Sequence, residues 1–213
     1  MLSKRDLISI QKQLVHYDDA REAVLSLSRT ATRLAGSSIL EIHRGDMESA
    51  SSTLHKVEQT LSKIEILSND FSEFKSSSGV VVAFQEYVEA MTLRSFAQSE
   101  RIPTISELKT DNRSYVLGLL DAVGEFRRMA LNCLRSGEVR KAEKLLGAME
   151  GIYDDLQTLE HTSIIPTFRV KMDAARRIIE ATRGDVVTEA RRYSLEQALD
   201  RLGKKLEPRK KEK

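Results

Sequence analysis

Two stretches of the sequence combine apolar side chains with pairs of carboxylates. The segment 80–99 carries Glu86 and Glu89, and the segment 113–134 carries Asp121 and Glu125. Spacings of three and four residues place each pair on one face of a helix. A carboxylate on a mostly buried helix is unfavourable unless it is paired or coordinated, and four converging carboxylates favour a hard cation such as Mg²⁺ or Mn²⁺. Such a cation activates water and stabilises charge on a phosphodiester.

Ordinary ion pairs are the alternative role for these acids. Arg128 follows Glu125 by three residues, on the same helical face. Arg128 also follows Asp121 by seven residues, and Arg94 follows Glu86 by eight, so each lies about two turns further along the same face. The spacing by itself favours structural pairing or solvation over a metal site.

The apolar pattern predicts an all-α protein. Apolar residues recur at steps of three and four, and the segments 80–99 and 113–134 are apolar nearly all round, as expected of buried helices. We predict one domain of about seven helices over 1–203, followed by a basic, disordered tail at 204–213. The helices are expected at about 3–45, 47–74, 80–99, 113–134, 138–159, 166–182 and 186–203, with a short capped turn at 104–108.

Composition supports this fold class. The chain has 213 residues, of which only 3 are Pro and 10 are Gly, and 5% are aromatic. A sheet-rich protein of this size needs more turn residues and more aromatic strand residues. The single cysteine, Cys133, excludes an intramolecular disulfide and a cysteine-rich zinc site. No apolar run approaches the length of a membrane span, so we expect a soluble cytoplasmic protein with no membrane partner.

Net charge does not indicate a nucleic-acid-binding protein. The formal charge is +2, but the last ten residues hold six basic and two acidic groups, which leaves about −2 for the body. Any anionic ligand therefore requires a locally organised basic surface. The four histidines form no Glu-x-x-His pair of the ferritin-like type, and neither a glycine-rich phosphate loop nor a nucleophile elbow is present.

Several segments of the sequence match a known family when they are taken together. They are Leu25-Ser26-Leu27-Ser28-Arg29, Ile42-His43-Arg44, Gln85-Glu86-Tyr87-Val88-Glu89-Ala90, Tyr115-Val116-Leu117-Gly118-Leu119-Leu120-Asp121 with Gly124-Glu125, and shorter matches at 136–138, 153–154 and 171–173. In this combination the chain resembles the translin superfamily, specifically its translin-associated factor X (Trax) branch. The resemblance extends from about residue 8 to residue 185.

This resemblance implies a seven-helix translin-like fold that assembles into a hollow octamer. It implies a Mg²⁺- or Mn²⁺-dependent endoribonuclease that cleaves single-stranded RNA inside the assembly. Glu86, Glu89, Asp121 and Glu125 match the family's catalytic acids. Glu89 and Glu125 would be the most direct metal ligands, with Glu86 and Asp121 completing the site or orienting the attacking water.

The RNA-binding surface departs from the family pattern. The family's His- and Arg-rich stretch before the third helix corresponds here to 74–79, where Lys75 is the only cation. Lys75, Arg94 and Arg128 are the candidate nucleic-acid-binding residues. The chain could form a homo-oligomer or assemble with a translin-like partner subunit. We favour the homo-oligomer.

Three other functions remain open from the sequence. A translin-like RNA- or DNA-binding protein without catalytic activity would keep its affinity after loss of the acids. All-α nucleotide pyrophosphohydrolases also place Glu-x-x-Glu on one helix and an acidic pair on another, which makes nucleotide hydrolysis a more distant alternative. A helical scaffold for a protein partner would bind neither metal nor RNA.

Overall fold

The computed structural model describes the backbone of residues 3–206 and the side chains of residues 3–204. Its regular elements over that range are all helical, which confirms the predicted all-α fold. Two 3-10 turns, Ser72–Ser76 and Thr162–Ile164, separate longer elements. The seven α-helices are α1 (Lys4–His43), α2 (Met47–Leu67), α3 (Ser78–Ser99), α4 (Ile105–Leu108), α5 (Asn112–Arg135), α6 (Val139–Gln157) and α7 (Phe168–Leu206).

The chain divides into two compact units, Met1–Ala122 and Val123–Lys213. Helix α5 is continuous across this boundary. Each unit has a buried apolar set of its own, and the two are described separately. The single-domain organisation over 1–203 stays a prediction.

In the first unit, the later turns of α1 pack against α2 and α3. Small side chains at heptad-like steps, such as Val24, Ala31 and Ala35, are buried and allow close approach of the neighbouring helices. The first turns, residues 4–16, are exposed throughout. Helix α1 ends where predicted, because Gly45 adopts a φ of +80° that glycine tolerates best.

Helix α3 is buried on most sides, as its nearly uniform apolar pattern predicted. Val88, Ala90 and Leu93 are fully buried, and even Glu89 is only 8% exposed. In the second unit, α6 and α7 pack together through apolar faces that include Met149, Ile152 and Ile179.

The predicted end of the second helix, at residue 74, is wrong. Helix α2 ends at Leu67, and the following segment forms a 3-10 turn. Phe71 and Phe74 leave the helical path because each packs against Tyr17 of α1, with ring centroids 5.0 Å apart. Phe74 is 4% exposed, so this aromatic contact fixes the turn to α1.

The predicted break at Gly184-Asp185 is also wrong. One helix, α7, replaces the two helices expected at 166–182 and 186–203. A glycine inside a helix costs only about 1 kcal/mol relative to alanine, and the buried neighbours Thr182 and Val186 hold the helix against its unit.

The predicted disordered tail lies mostly outside the described residues. Helix α7 continues through 204–206, where the tail was expected to begin. Residues 207–213 are not among those the structure describes. Along residues 3–206, the helices are too short or too polar to serve as membrane spans.

Replacing Gly118 by alanine should destabilise the first unit. A Cβ at this position would lie 2.6 Å from the Gln85 carbonyl oxygen and 2.7 Å from Val88 Cβ, so α3 and α5 would have to separate. We expect a loss of about 1–3 kcal/mol in the free energy of unfolding, measured by urea denaturation.

Gly36→Ala is the matched control in the same unit. Gly36 lies inside α1, and an added methyl group there would have nothing within 4 Å, so alanine should raise the free energy of unfolding by about 0.5–1 kcal/mol. Equal effects of the two substitutions would contradict the close crossing at Gly118.

Removing Arg101 should raise the pKa of Glu107. The Arg101 guanidinium lies 2.8 Å from Glu107 Oε2, and Thr104 donates its backbone N–H to the same oxygen in the capping box of α4. These hydrogen bonds lower the pKa of Glu107 to about 2, the arginine contributing most. The ionised Glu107 carboxylate therefore stabilises the folded state at pH values above the ordinary glutamate pKa. This stabilisation is lost as the pH falls towards 2, because the carboxylate becomes protonated.

An NMR titration of the Glu107 side chain should report this effect. In Arg101→Gln the midpoint should move upward, towards the ordinary glutamate value. The exposed Arg140→Gln variant should leave the midpoint unchanged. A midpoint for Glu107 that is the same in all three proteins would show that the guanidinium does not hold the carboxylate.

Candidate functional site

Helices α3 and α5 run in the same direction and touch at Gly118. Near the start of the pair, Ser114 Oγ donates to the Val81 carbonyl oxygen at 3.5 Å. One turn along, the missing side chain of Gly118 leaves room for the Gln85 carbonyl and for Val88. Ser114 and Val81 are 33 positions apart in sequence, and so are Gly118 and Gln85. Because this separation stays constant along both helices, α3 and α5 run parallel.

Three of the predicted acids lie within about one turn of this crossing. Asp121 follows Gly118 by three residues, and the Gln85 side-chain amide donates to its carboxylate. Glu89 follows Gln85 by four residues and is therefore on the face of α3 that meets Asp121. Glu89 is buried, whereas Glu86 and Asp121 are half-buried. The structure thus places Glu86, Glu89 and Asp121 at the same level of two neighbouring helices.

Glu125 lies one turn beyond Asp121 on α5, in the part of the helix that belongs to the second unit. Its carboxylate is 3.5 Å from an Arg128 guanidinium nitrogen. The side chain of Glu125 is 26% exposed and that of Arg128 is 51% exposed. The structural ion pair considered as an alternative from the sequence is therefore present for these two residues.

The donor set suits a hard divalent cation. Carboxylate oxygens are the ligands that Mg²⁺ and Mn²⁺ prefer, and a buried carboxylate such as Glu89 is stabilised by a nearby positive charge. Among the side chains of residues 3–204, however, no three His, Cys, Asp or Glu are grouped closely enough to hold one ion as they stand.

Lys75 and Arg94, the two predicted nucleic-acid-binding cations of the first unit, lie far apart. Lys75 is exposed in the 3-10 turn before α3, with Nζ 3.4 Å from Asn69 Oδ1. Arg94 lies near the other end of α3, about 24 Å further along the helix axis. Its Nη1 is 3.9 Å from Met91 Sδ, and its buried Nε has no hydrogen-bond partner among the described residues. Arg128 belongs to the second unit.

Arg127 and Arg128 have different surroundings although the sequence groups them. Arg127 donates to Thr182 Oγ1 at 2.8 Å and forms an ion pair with Asp185 at 3.1 Å. Thr182 is fully buried, so Arg127 joins α5 to α7 within the second unit. Of the two adjacent arginines, Arg128 is the more exposed and the more accessible to an anionic ligand.

Gln85 is the site residue that the sequence analysis did not single out. Its amide fixes the Asp121 carboxylate, and no catalytic type or charge marks it. The available signal was its spacing, four residues before Glu89 on the same face of α3.

The sequence matches the model of the Translin family over residues 19–181. The chain belongs to the Translin family. Among its relatives, an uncharacterized protein of Methanocaldococcus jannaschii is 31% identical over 191 residues, covering 89% of this chain and 85% of the relative. Translin-associated protein X of Rattus norvegicus is 24% identical over 196 residues, covering 72% of this chain and 67% of the relative.

Solved structures of C3PO proteins share the fold of this Translin family member. A structure of AfC3PO in complex with duplex RNA superposes with a TM-score of 0.77 at 29% identity, covering 87% of this chain and 96% of that chain. Apo-NeC3PO also has a TM-score of 0.77, at 25% identity over 89% of this chain and 98% of that chain. The resemblance to the translin superfamily and its Trax branch, drawn from the sequence, is therefore confirmed.

Replacing Arg127 by methionine should destabilise the second unit, because it leaves the buried Thr182 hydroxyl and the Asp185 carboxylate without this cation. We expect a loss of about 1–2 kcal/mol in the free energy of unfolding. Arg128→Met is the matched neighbour and should change stability by less than about 0.5 kcal/mol, since the Arg128 side chain is 51% exposed. Equal losses in thermal or urea unfolding would contradict the different roles of the two arginines.

Proposed function

We propose that this Translin family protein is an endoribonuclease that depends on Mg²⁺ or Mn²⁺. The observation that carries the proposal is the buried Glu89 at the level of Asp121 and Glu86 where α3 meets α5. Membership of the Translin family and the fold shared with an AfC3PO–RNA complex support RNA as the substrate. Single-stranded RNA is the substrate expected from the sequence, and the duplex in that complex makes duplex RNA the comparison substrate.

The proposed site uses the four acids in distinct roles. Glu89 and Glu125 are the most direct ligands expected from the sequence, and Asp121, at the level of Glu89, would complete the site. Bound there, the cation would act as a Lewis acid and lower the pKa of a water. Gln85 would keep the Asp121 carboxylate oriented through its amide N–H. A Glu86 carboxylate oxygen would accept the proton of the attacking water.

Charge that develops on the scissile phosphate needs donors from the protein. Arg94 and Arg128 are the candidates expected from the sequence, and the Arg128 side chain is 51% exposed and so accessible to a phosphate. A guanidinium can stabilise phosphate oxygens by two parallel hydrogen bonds.

Assembly into an octamer is part of the proposal. The first turns of α1 expose Leu7, Ile10 and Leu14 at helical spacing, an apolar stripe that another subunit would cover. The shared C3PO fold also supports an oligomer, either of identical subunits or with a translin-like partner subunit. If the octamer encloses the four acids, cleavage of RNA would depend on association of the subunits.

A nucleic-acid-binding protein without catalysis is the second candidate. It is favoured by the ion pair between Glu125 and Arg128 and by the absence, within residues 3–206, of a preassembled cluster of metal ligands. In that case the acids serve structural pairing, and binding to RNA or DNA would weaken with salt but survive neutralisation of Glu89.

Cleavage of end-labelled RNA by the purified protein tests the two candidates. Single-stranded and duplex substrates would be compared with Mg²⁺, with Mn²⁺ and with a chelator. We expect metal-dependent cleavage of the single strand, reduced at least about 100-fold in Glu89→Gln and in Asp121→Asn, because each loses an anionic ligand.

Glu143→Gln, an exposed substitution on α6, is the control and should cleave like the wild type. The variants' oligomeric state would be checked by light scattering, and their RNA affinity measured in chelator, so that loss of assembly or binding is separated from loss of chemistry. Cleavage that persists unchanged in both site variants would contradict the proposed site. Unaltered RNA binding with no cleavage by the wild type under any metal would favour the binding protein.

A further inference from the structure

A pocket in the first unit lies at the amino-terminal end of the α3–α5 pair. Its volume is about 280 Å³, near the lower end of the range typical of small-molecule sites, about 300–1,000 Å³. The end of α2, the 3-10 turn, the start of α3 and the segment before α5 all contribute to its wall. Apolar side chains, including Val80, Val81 and Phe84, line one part, and polar and charged groups line the rest.

Three of the residues that line this pocket each have a buried polar atom without a hydrogen-bond partner among the described residues. Ser68 is fully buried, and its Oγ has no hydrogen-bond partner among the described residues. Thr110 Oγ1 and Arg113 Nε are also buried without a partner in that part of the chain. A buried polar atom without a partner is costly, and hydroxyl and guanidinium groups all donate. Three residues that line one pocket therefore each carry a buried donor for which the described part of the chain supplies no acceptor.

The charges around the pocket favour an anion. Lys75, Lys109 and Arg113 line it, against the carboxylates of Glu65 and Asp111. Asp111 already accepts the backbone N–H of Ser114 as the N-cap of α5, which satisfies one of its oxygens within the protein. Lys75 and Lys109 are exposed, so the cationic side of the pocket is open to solvent.

The helix directions add to this preference. The pocket lies beside the first turns of both α3 and α5, whose amino-terminal N–H groups carry partial positive charge. The N-cap of α3, Ser77, makes no side-chain capping hydrogen bond. The aromatic contact of Phe74 with Tyr17 fixes the turn that carries the next residue, Lys75.

We propose that this pocket is a binding site for a phosphate monoester, separate from the carboxylates at the crossing. Lys75, Lys109 and Arg113 outnumber Glu65 and Asp111 in the lining, and Ser68 and Thr110 add two hydroxyl groups without a partner. This set matches a dianion with several acceptor oxygens better than a phosphodiester, which carries one charge. The neighbouring apolar wall and the pocket's size leave room for the group esterified to the phosphate. The monoester is either a free nucleotide or the terminal phosphate of an oligonucleotide. The inference does not depend on the proposed nuclease activity.

Calorimetric titration of the full-length protein in chelator tests the site. The probes are inorganic phosphate, adenosine 5′-monophosphate, and a matched pair of short oligonucleotides with a 5′-phosphate or a 5′-hydroxyl. We expect saturable binding of the monoesters that strengthens between about pH 5 and pH 7, as the second phosphate proton is lost. Binding of inorganic phosphate and adenosine 5′-monophosphate but of neither oligonucleotide identifies a free-nucleotide site, whereas a preference for the 5′-phosphorylated oligonucleotide identifies an RNA end.

Variants tie the binding to these residues. Arg113→Gln and the exposed Lys109→Gln should each weaken phosphate binding about tenfold or more, and Ser68→Ala severalfold. Lys63→Gln, an exposed change on α2 that does not line the pocket, should have no effect. Circular dichroism would confirm folding, and Lys109→Gln serves if the Arg113 variant fails to fold.

Any one of three results would overturn the proposal. The first is the absence of saturable monoester binding at millimolar concentration. The second is unchanged binding in both Lys109→Gln and Arg113→Gln. The third is equal binding of the two oligonucleotides without competition by phosphate. None of these results bears on metal-dependent cleavage, which is measured separately at Glu89 and Asp121.

Discussion

The close, parallel crossing of α3 and α5 at Gly118 is the constraint on which the first unit depends. A side chain at this position would collide with the Gln85 carbonyl and with Val88, so only glycine allows the two backbones to meet. The contact sets the register in which Asp121 receives the Gln85 amide and Glu89 faces α5. Acids separated by more than thirty residues in sequence therefore share one level of the structure.

The same parallel arrangement separates negative from positive groups along one pair of helices. The amino-terminal ends of α3 and α5 come together beside Lys75, Lys109 and Arg113, where the helix dipoles also favour anions. The carboxylate of Asp121 lies seven residues after Ser114, about 10 Å further along α5. The carboxylates at the crossing and the cations at the amino-terminal ends therefore lie at different levels of the same two helices.

Much of the fold could be predicted from periodicity. Steps of three and four apolar residues indicated the helical class, the limits of α1 and the capping box at Thr104. The errors arose where long-range packing opposed a local signal. Gly184 is a weak helix former, but burial of its neighbours keeps α7 continuous, and Phe74 leaves α2 because Tyr17 offers it an aromatic contact. The candidate acids were predictable from their types and spacing, whereas Gln85 carries no such mark.

The sequence by itself determined that this is an all-α member of the Translin family. It also determined that two of the most apolar helices carry paired carboxylates. Both follow from the sequence because helical periodicity and residue type are local properties. Only the tertiary structure decided that the two helices run parallel, that Arg127 is tied to Thr182 and Asp185, and that Ser68, Thr110 and Arg113 leave unpartnered donors around one pocket. These features depend on which distant segments come into contact, and that follows from the burial of whole helix faces rather than from any single spacing.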